Sequence, residues 1–275
     1  MKKLISILIG LTLVISVNAQ FQNSGGMFLR TGSSFMTAPP EPYVPSGLMN
    51  GLVAYFDMSE SSLPIVDEVA NLTSTGTVGS TAVITGVTGR IGNAIRFNYK
   101  PTYGNGQRII VGNNVLQHGI MSASVWFSVT DTDSDHYAML CNTNSGTVNR
   151  GYYFATGGVG GGVLIRAYNS SGGYAEVDTQ PDWTVTSANT WYHAVFIADG
   201  TNLTVYVNGV QQKQASFANN ISYGSDATFI IGGRDAANYG CMNGILDEIA
   251  IWNRVLTADE ITELYNNGAG KAYPF

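Results

Sequence analysis

Apolar positions along this chain come in short bursts rather than in helical stripes. From Gly51 onward they recur about every ten residues and are separated by clusters of Gly, Asn, Asp and Ser. The runs are Leu52–Phe56, Ala94–Phe97, Ile109–Val111, Ala123–Val129, Tyr152–Ala155, Val163–Tyr168, Ala194–Ala198, Leu203–Val207, Phe229–Ile231 and Ile245–Trp252. Within Leu203–Val207, Leu203, Val205 and Val207 share one face while Thr204 and Tyr206 take the other, the period of a half-buried strand. Asn208-Gly209 follows, and both residues accept positive φ, which predicts a type I′ hairpin. Many strands without intervening helical periods predict an all-β antiparallel sandwich or jelly roll.

One helix is legible, at the C-terminal end. Thr257 stands three residues before Glu260, the spacing of a capping box, and Leu256 with Ile261 forms a hydrophobic staple around it. Asp259 and Glu260 suit the positive end of the helix dipole. Ile261, Leu264 and Tyr265 make the apolar face, and Asn266-Asn267-Gly268 ends the run. Its predicted role is a lid on the sandwich.

The first residues are patterned differently. Lys2 and Lys3 precede the apolar run Leu4–Val17, which is too short to span a bilayer, and Val17-Asn18-Ala19 offers a small-residue cleavage site. Residues 1–19 therefore read as a secretory signal peptide cleaved after Ala19, and the protein as secreted, periplasmic or held at the cell surface. Residues 20–48 have no apolar period and carry Ala38-Pro39-Pro40-Glu41-Pro42, so they read as a flexible linker. Residues 49–275 are the folded domain. No second long apolar run is present, so no membrane span is expected.

Composition narrows the function. The 275 residues hold 13 Lys+Arg against 19 Asp+Glu, a net charge of −6, and charged residues make up only 12%. An acidic chain without basic clusters is a poor ligand for nucleic acid, whose binding rests on neutralising phosphates. Cys141 and Cys241 can form a bridge after export or remain two separate buried thiols, and spacing does not decide between them. With no Cys-x-x-Cys and with His118, His136 and His193 far apart, zinc or redox chemistry is not expected.

Catalytic patterns are incomplete. Glu176-Val177-Asp178 puts two carboxylates on one strand face, as in retaining glycosidases, but Thr179, Gln180 and Pro181 follow where a further acid is needed. Asp131, Asp133 and Asp135 open like a calcium loop, yet His136 stands where the turn requires Gly. Gly157–Gly162 reads as a hairpin loop, and Gly268-Ala269-Gly270-Lys271 lacks the other parts of a phosphate loop.

Several segments, taken in order, carry a family resemblance. They are Gly51-Leu-Val-Ala-Tyr-Phe-Asp57, Val66-Asp67-Glu-Val-Ala-Asn71, Gly89-Arg-Ile-Gly-Asn-Ala-Ile-Arg-Phe97-Asn98, Ser124-Val-Trp126-Phe127, Trp191-Tyr-His193, Leu203–Gly209 and Gly244-Ile-Leu-Asp247-Glu-Ile-Ala-Ile-Trp252 with its continuation to Glu260. Together they resemble the laminin-G-like jelly roll of the concanavalin A-like lectin/glucanase superfamily, over roughly residues 49–270. The resemblance implies two curved antiparallel sheets, often a bound calcium, and usually non-catalytic recognition of glycans or proteins. Asn98-Tyr99 replaces the Asp-Gly common in the family, so an amide stands where a ligand carboxylate is expected.

The function expected is thus a secreted, non-catalytic binding module for carbohydrate or a surface glycoprotein. The alternatives are a polysaccharide-active glycosidase or lyase using Glu176 and Asp178, or a structural, adhesive subunit of a surface assembly. Tyr99, Tyr103, Trp183 and Tyr239 lie among Gly, Asn and Asp, where rings can stack on sugars, and are the candidate ligand-binding residues. Asp247 is an acid within an apolar strand, a placement that is costly unless the carboxylate is paired or coordinates a cation. The resemblance to laminarinase-type enzymes makes Asp247 a calcium ligand, with Asp67, Asn71 and Asn98 completing the shell. The alternative is that Asp247 caps a loop through backbone N–H groups.

Overall fold

In the computed structural model, residues 28–31, 34–37, 47–78, 83–98, 106–130, 136–143, 150–234 and 240–275 are described. The chain divides into Met1–Pro45 and Ser46–Phe275. Within the first unit, inside the stretch read as a linker, β1 (Phe28–Thr31) and β2 (Ser34–Thr37) pair as an antiparallel hairpin.

The second unit is a sandwich of antiparallel sheets. Its strands are β3 (Leu52–Phe56), β4 (Gly76–Val78), β5 (Ile84–Thr88), β6 (Asn93–Phe97), β7 (Arg108–Asn113), β8 (Met121–Val129), β9 (His136–Thr143) and β10 (Gly151–Gly157). They continue with β11 (Val163–Tyr168), β12 (Tyr174–Asp178), β13 (Tyr192–Ala198), β14 (Asn202–Val207), β15 (Val210–Ser216), β16 (Thr228–Ile231) and β17 (Gly244–Trp252). A seven-stranded sheet runs β12-β11-β10-β9-β16-β7-β4, and an eight-stranded sheet runs β15-β14-β13-β8-β17-β6-β5 with β3 also paired to β17. Every apolar run named from Gly51 onward forms a strand. The predicted hairpin joins β14 to β15, with φ of 51° at Asn208 and 78° at Gly209, the two positive values its turn requires.

Alternation along the strands builds the core. Val125 and Phe127 of β8, Tyr152 and Phe154 of β10, Ile165 of β11 and Phe196 of β13 all point between the sheets into one apolar cluster. A second, smaller cluster lies on the outer face of the eight-stranded sheet. There Val195, Ala250 and Trp252 are covered by Leu48, by Ile261 and Leu264 of the helix α1 (Ala258–Tyr265), and by Phe275 at the C-terminus. The capping box is formed, Thr257 accepting the Glu260 N–H at 3.2 Å and Glu260 accepting the Thr257 N–H at 2.8 Å. Arg254 fastens the cover, bonding Glu260 and the carbonyl oxygens of Gly47 and Asn50. Cys141 and Cys241 are both buried and are not bridged to each other.

Candidate functional site

The outer face of the seven-stranded sheet is finished with rings and guanidinium groups. Because Tyr152, Phe154, Ile165 and Val177 point into the core, their alternating neighbours Tyr153, Arg166 and Glu176 point outward. The register sets Glu176 beside Arg166, Arg166 beside Tyr153, Tyr153 beside Cys141, Cys141 beside Ile230 and Ile230 beside Ile110. One row thus crosses the sheet from β12 to β7. Its apolar floor is Cys141, Tyr153, Ala155, Leu164 and Ile230, a cluster drawn from strands of this sheet alone.

Charge is concentrated around Tyr153. The Arg166 guanidinium carbon lies 5.4 Å from the Tyr153 ring centre and 5.0 Å from that of Tyr174, while that of Arg234, three residues beyond β16, lies 4.5 Å from Tyr153. Arg166 Nε–H donates to Glu176 at 2.6 Å, so that charge is matched. Burial pushes the Tyr153 hydroxyl pKa up, and the two guanidinium groups pull against it. Tyr174 is 60% exposed, on the edge strand, and packs against Tyr168 at 5.6 Å. A cation over a tyrosine ring stabilises by about 0.5–1 kcal/mol where exposed and about 2 when desolvated, enough to hold these rings and guanidinium groups in one arrangement.

Of the residues singled out from the sequence, Glu176 stands in this row and Trp183 lies apart from it. Tyr99, Tyr103 and Tyr239 fall outside the described residues, as do Asp131, Asp133 and Asp135. Trp183 is half-buried after β12, edge-on to Tyr192 at 5.6 Å and packed against the main core. Glu176 pairs with Arg166, and Asp178 accepts the Gln180 N–H at 2.9 Å. Tyr153, Arg166, Tyr174 and Arg234 were not singled out, although outward alternation of Tyr, Arg and Glu on neighbouring strands was readable once the inward residues had been assigned. A shallow recess lined by Ser170, Gly200, Asn219, Asn220, Ile221 and Ser222 offers hydroxyls and amides but neither rings nor charge.

The four residues expected around calcium do not form one shell. Asp67 is fully buried and uses both oxygens on backbone, accepting N–H groups from Tyr55 of β3 and from Val69, Ala70 and Leu72 of its own loop. Asn71, exposed at φ 57°, closes that loop by donating its N–H to Asp67 O. Asn98 lies just past Phe97, the partner of Gly244, whereas Asp247 lies beyond Leu246, the partner of Ile95. Their separation along β6 and β17 is four strand steps, roughly 13 Å, too far for shared ligation at 2.3–2.6 Å.

Asp247 is the informative member. It sits where β17 exchanges one neighbour, β6, for another, β3, and Glu248 adopts φ 51° in the resulting bulge. One oxygen of Asp247 accepts the Arg90 and Ile91 N–H groups at 2.7 and 3.0 Å, which caps the β5–β6 turn. A side chain on Gly89 would strike that oxygen, since a Cβ there would lie 2.6 Å from it. The other oxygen is buried without a partner, and burial first of all pushes the carboxyl pKa up to about 7. Among the described residues no group of three or more His, Cys, Asp or Glu is arranged to hold a metal.

Comparison with known proteins fixes the family. A laminin G family model, described as Concanavalin A-like lectin/glucanases superfamily, matches residues 103–262. The chain belongs to that superfamily. No curated protein sequence matches it. Among solved structures, domain 4 of AbnA, a GH43 extracellular arabinanase from Geobacillus stearothermophilus bound to arabinotriose, is 19% identical with a TM-score of 0.60, covering 77% of this chain and 97% of that domain. The binding domain of Paraclostridial Mosquitocidal Protein 1 is 20% identical with a TM-score of 0.61, covering 80% of this chain and 53% of that one. The botulinum neurotoxin serotype D binding domain is 16% identical with a TM-score of 0.58, and this chain covers 53% of it. The chain thus spans about half the length of the toxin domains, and at these identities the likeness is one of fold.

Proposed function

We propose that this superfamily member is an exported, non-catalytic binding module whose ligand is carbohydrate, taken on the outer face of the seven-stranded sheet. In this reading residues 1–19 are the signal peptide, the following stretch to Pro45 connects, and Ser46–Phe275 binds. The observation that carries it is the exposed Tyr174 beside Arg166, Tyr153 and Arg234, over an apolar floor that the sheet supplies by itself. Exposed rings stack on the C–H faces of sugars, and guanidinium groups donate to oxygens in a fixed fork. The arabinotriose complex of the AbnA domain supports the reading by fold.

Glycan-panel binding by the mature chain tests it, with Tyr174→Ala as the site variant. Binding lost with Tyr174→Ala at unchanged melting temperature is expected. Binding that is indifferent to Tyr174 would move the site to the rim recess. The hydrolase alternative predicts reducing-sugar release that Glu176→Gln abolishes. The pairing of Glu176 with Arg166 favours a positioning role instead.

A structural calcium is part of the same proposal, narrowed to Asp247. Its unpartnered oxygen needs a proton or a cation, and it is the one member of the expected set with a free buried acceptor. Asp67 has none to offer.

A further inference from the structure

We infer that the saccharide bound on the seven-stranded sheet carries an anionic group, a carboxylate or a sulfate, which Arg234 receives. The inference rests on the binding reading above and adds the class of ligand. Arg166 already has its counter-charge in Glu176. Arg234 has none among the described residues. Its guanidinium contacts the Tyr153 ring, and its Nε is buried without a hydrogen-bond partner. A guanidinium without a counter-charge attracts an anion, and one presenting two oxygens matches its planar fork.

Geometry and charge restrict the ligand further. Tyr174, Arg166, Tyr153 and Arg234 follow one another in steps of 5.0, 5.4 and 4.5 Å, so a ring stacked on Tyr174 and an acid group at Arg234 belong to an oligosaccharide, not to a free anion. The net charge of −6 repels a dense polyanion such as nucleic acid. A short saccharide with few acid groups meets the local positive site without meeting that repulsion as strongly.

Titration calorimetry on the mature chain with trigalacturonate, a sulfated galactan oligosaccharide and neutral arabinotriose tests the inference. At least one anionic oligosaccharide is expected to bind roughly 10- to 100-fold tighter than the neutral one, the range for a charge-assisted hydrogen bond. Added salt weakens that advantage. The carboxylate and sulfate arms tell the two sources of charge apart. Arg234→Gln brings the ratio of anionic to neutral affinity down toward one, while Arg234→Lys recovers part of that ratio because it keeps charge without the fork. Equal affinity for neutral and anionic ligands, with Tyr174→Ala still abolishing binding, overturns the anionic inference and leaves the binding reading intact. No binding of any oligosaccharide overturns both. Should Arg234→Gln lower the melting temperature, Arg234→Lys and the salt dependence of the wild type decide alone.

Discussion

The sandwich has two outer faces, built from strands that alternate in the same way and finished in opposite ways. On the eight-stranded sheet, the outward residues Ser122, Ser124, Trp126 and Trp252 are roofed by α1, Leu48 and the C-terminal tail. Most of the polar atoms there are bonded within the chain, although His193 Nδ1 and one oxygen of Asp247 have no partner among the described residues. Ser122 donates to Arg254 O and accepts the Leu256 N–H, Ser124 bonds His193 at 2.7 Å, and the Trp252 indole N–H donates to Leu48 O at 2.7 Å. On the seven-stranded sheet, the corresponding positions carry Tyr153, Arg166, Tyr174 and Glu176, and Arg234 joins them with its Nε unpartnered among the described residues. The covered face thus meets most of its hydrogen-bonding needs from its own chain. The seven-stranded face instead carries an exposed ring and a guanidinium without a counter-charge among the described residues, the two features the proposed binding reading uses.

This contrast predicts that substitutions on the covered face change stability and those on the other face change binding. The largest expected effect is at Trp252, fully buried between Leu48 and Phe275. Trp252→Ala should cost about 3–5 kcal/mol in denaturant unfolding. Tyr174→Ala should stay within about 0.5 kcal/mol of the wild type, as a surface change does. Comparable losses at the two sites would mean that the seven-stranded face is sealed as tightly as the other.

Calcium sharpens the comparison at Asp247, whose cross-strand partner is Trp126 on the covered face. If calcium binds only the folded protein, about 100 times its dissociation constant adds roughly 2.7 kcal/mol. At about 2–4 °C per kcal/mol, that is a rise of roughly 5–10 °C in melting temperature between chelator and calcium. Asp247→Asn should remove the difference. Identical melts of the wild type in both buffers would assign the free oxygen of Asp247 to a proton.

The covered face also sets the pH profile. Burial lowers the His193 pKa to about 3, so below pH 6.5 the unfolded chain takes up a proton that the folded one refuses. Stability from this group falls as pH drops from about 6.5 to 3, by at most about 1.4 kcal/mol per pH unit. Burial raises the carboxyls of Asp247 and Glu248 to about 7 and about 8, the opposite displacement. These two weaken the fold as pH rises from about 4, where they ionise in the unfolded chain, toward 7 and 8. In chelator, denaturant melts should therefore show a maximum on the acidic side of neutral. His193→Gln should flatten the acid limb and Glu248→Gln the alkaline one. A profile unchanged by either substitution would mean that these groups are not held dry by the cover.

Much of this architecture was legible because it rests on apolar alternation. β8, β13 and β17 announce themselves by runs of buried residues, and α1 by its capping box. β15, with its sequence VQQKQAS, has no such run, since an edge strand exposed along its length needs none. β5 and the short β4 were hidden for the same reason. The binding candidates were hidden differently. Aromatic residues in Gly- and Asn-rich stretches drew attention, whereas Tyr153 and Arg166 sit inside strands, where they pass for ordinary alternation. What distinguishes them is the neighbour across the sheet, and register is not written locally. Asp247 was legible as an anomaly, but its partners, the N–H groups of Arg90 and Ile91, are backbone atoms that no residue type reveals.

The smallest expected effect is at Thr257, and it separates the faces most cleanly. Its side chain accepts one N–H of the first turn of α1, and Glu260 returns the bond while also holding Arg254. The Arg254 hydrogen bonds are first among the causes that keep the Glu260 carboxyl below its usual pKa, so the acid remains ionised and the return bond survives in mild acid. Thr257→Ala removes the forward bond alone and should cost about 1 kcal/mol, or roughly 2–4 °C in melting temperature. Thr257→Ser keeps the oxygen and should restore most of it. Neither change reaches the seven-stranded sheet, so oligosaccharide affinity should stay at the wild-type value while the melting temperature moves. An affinity that follows the melting temperature across this pair would mean that the helix and the binding face are energetically coupled through the core.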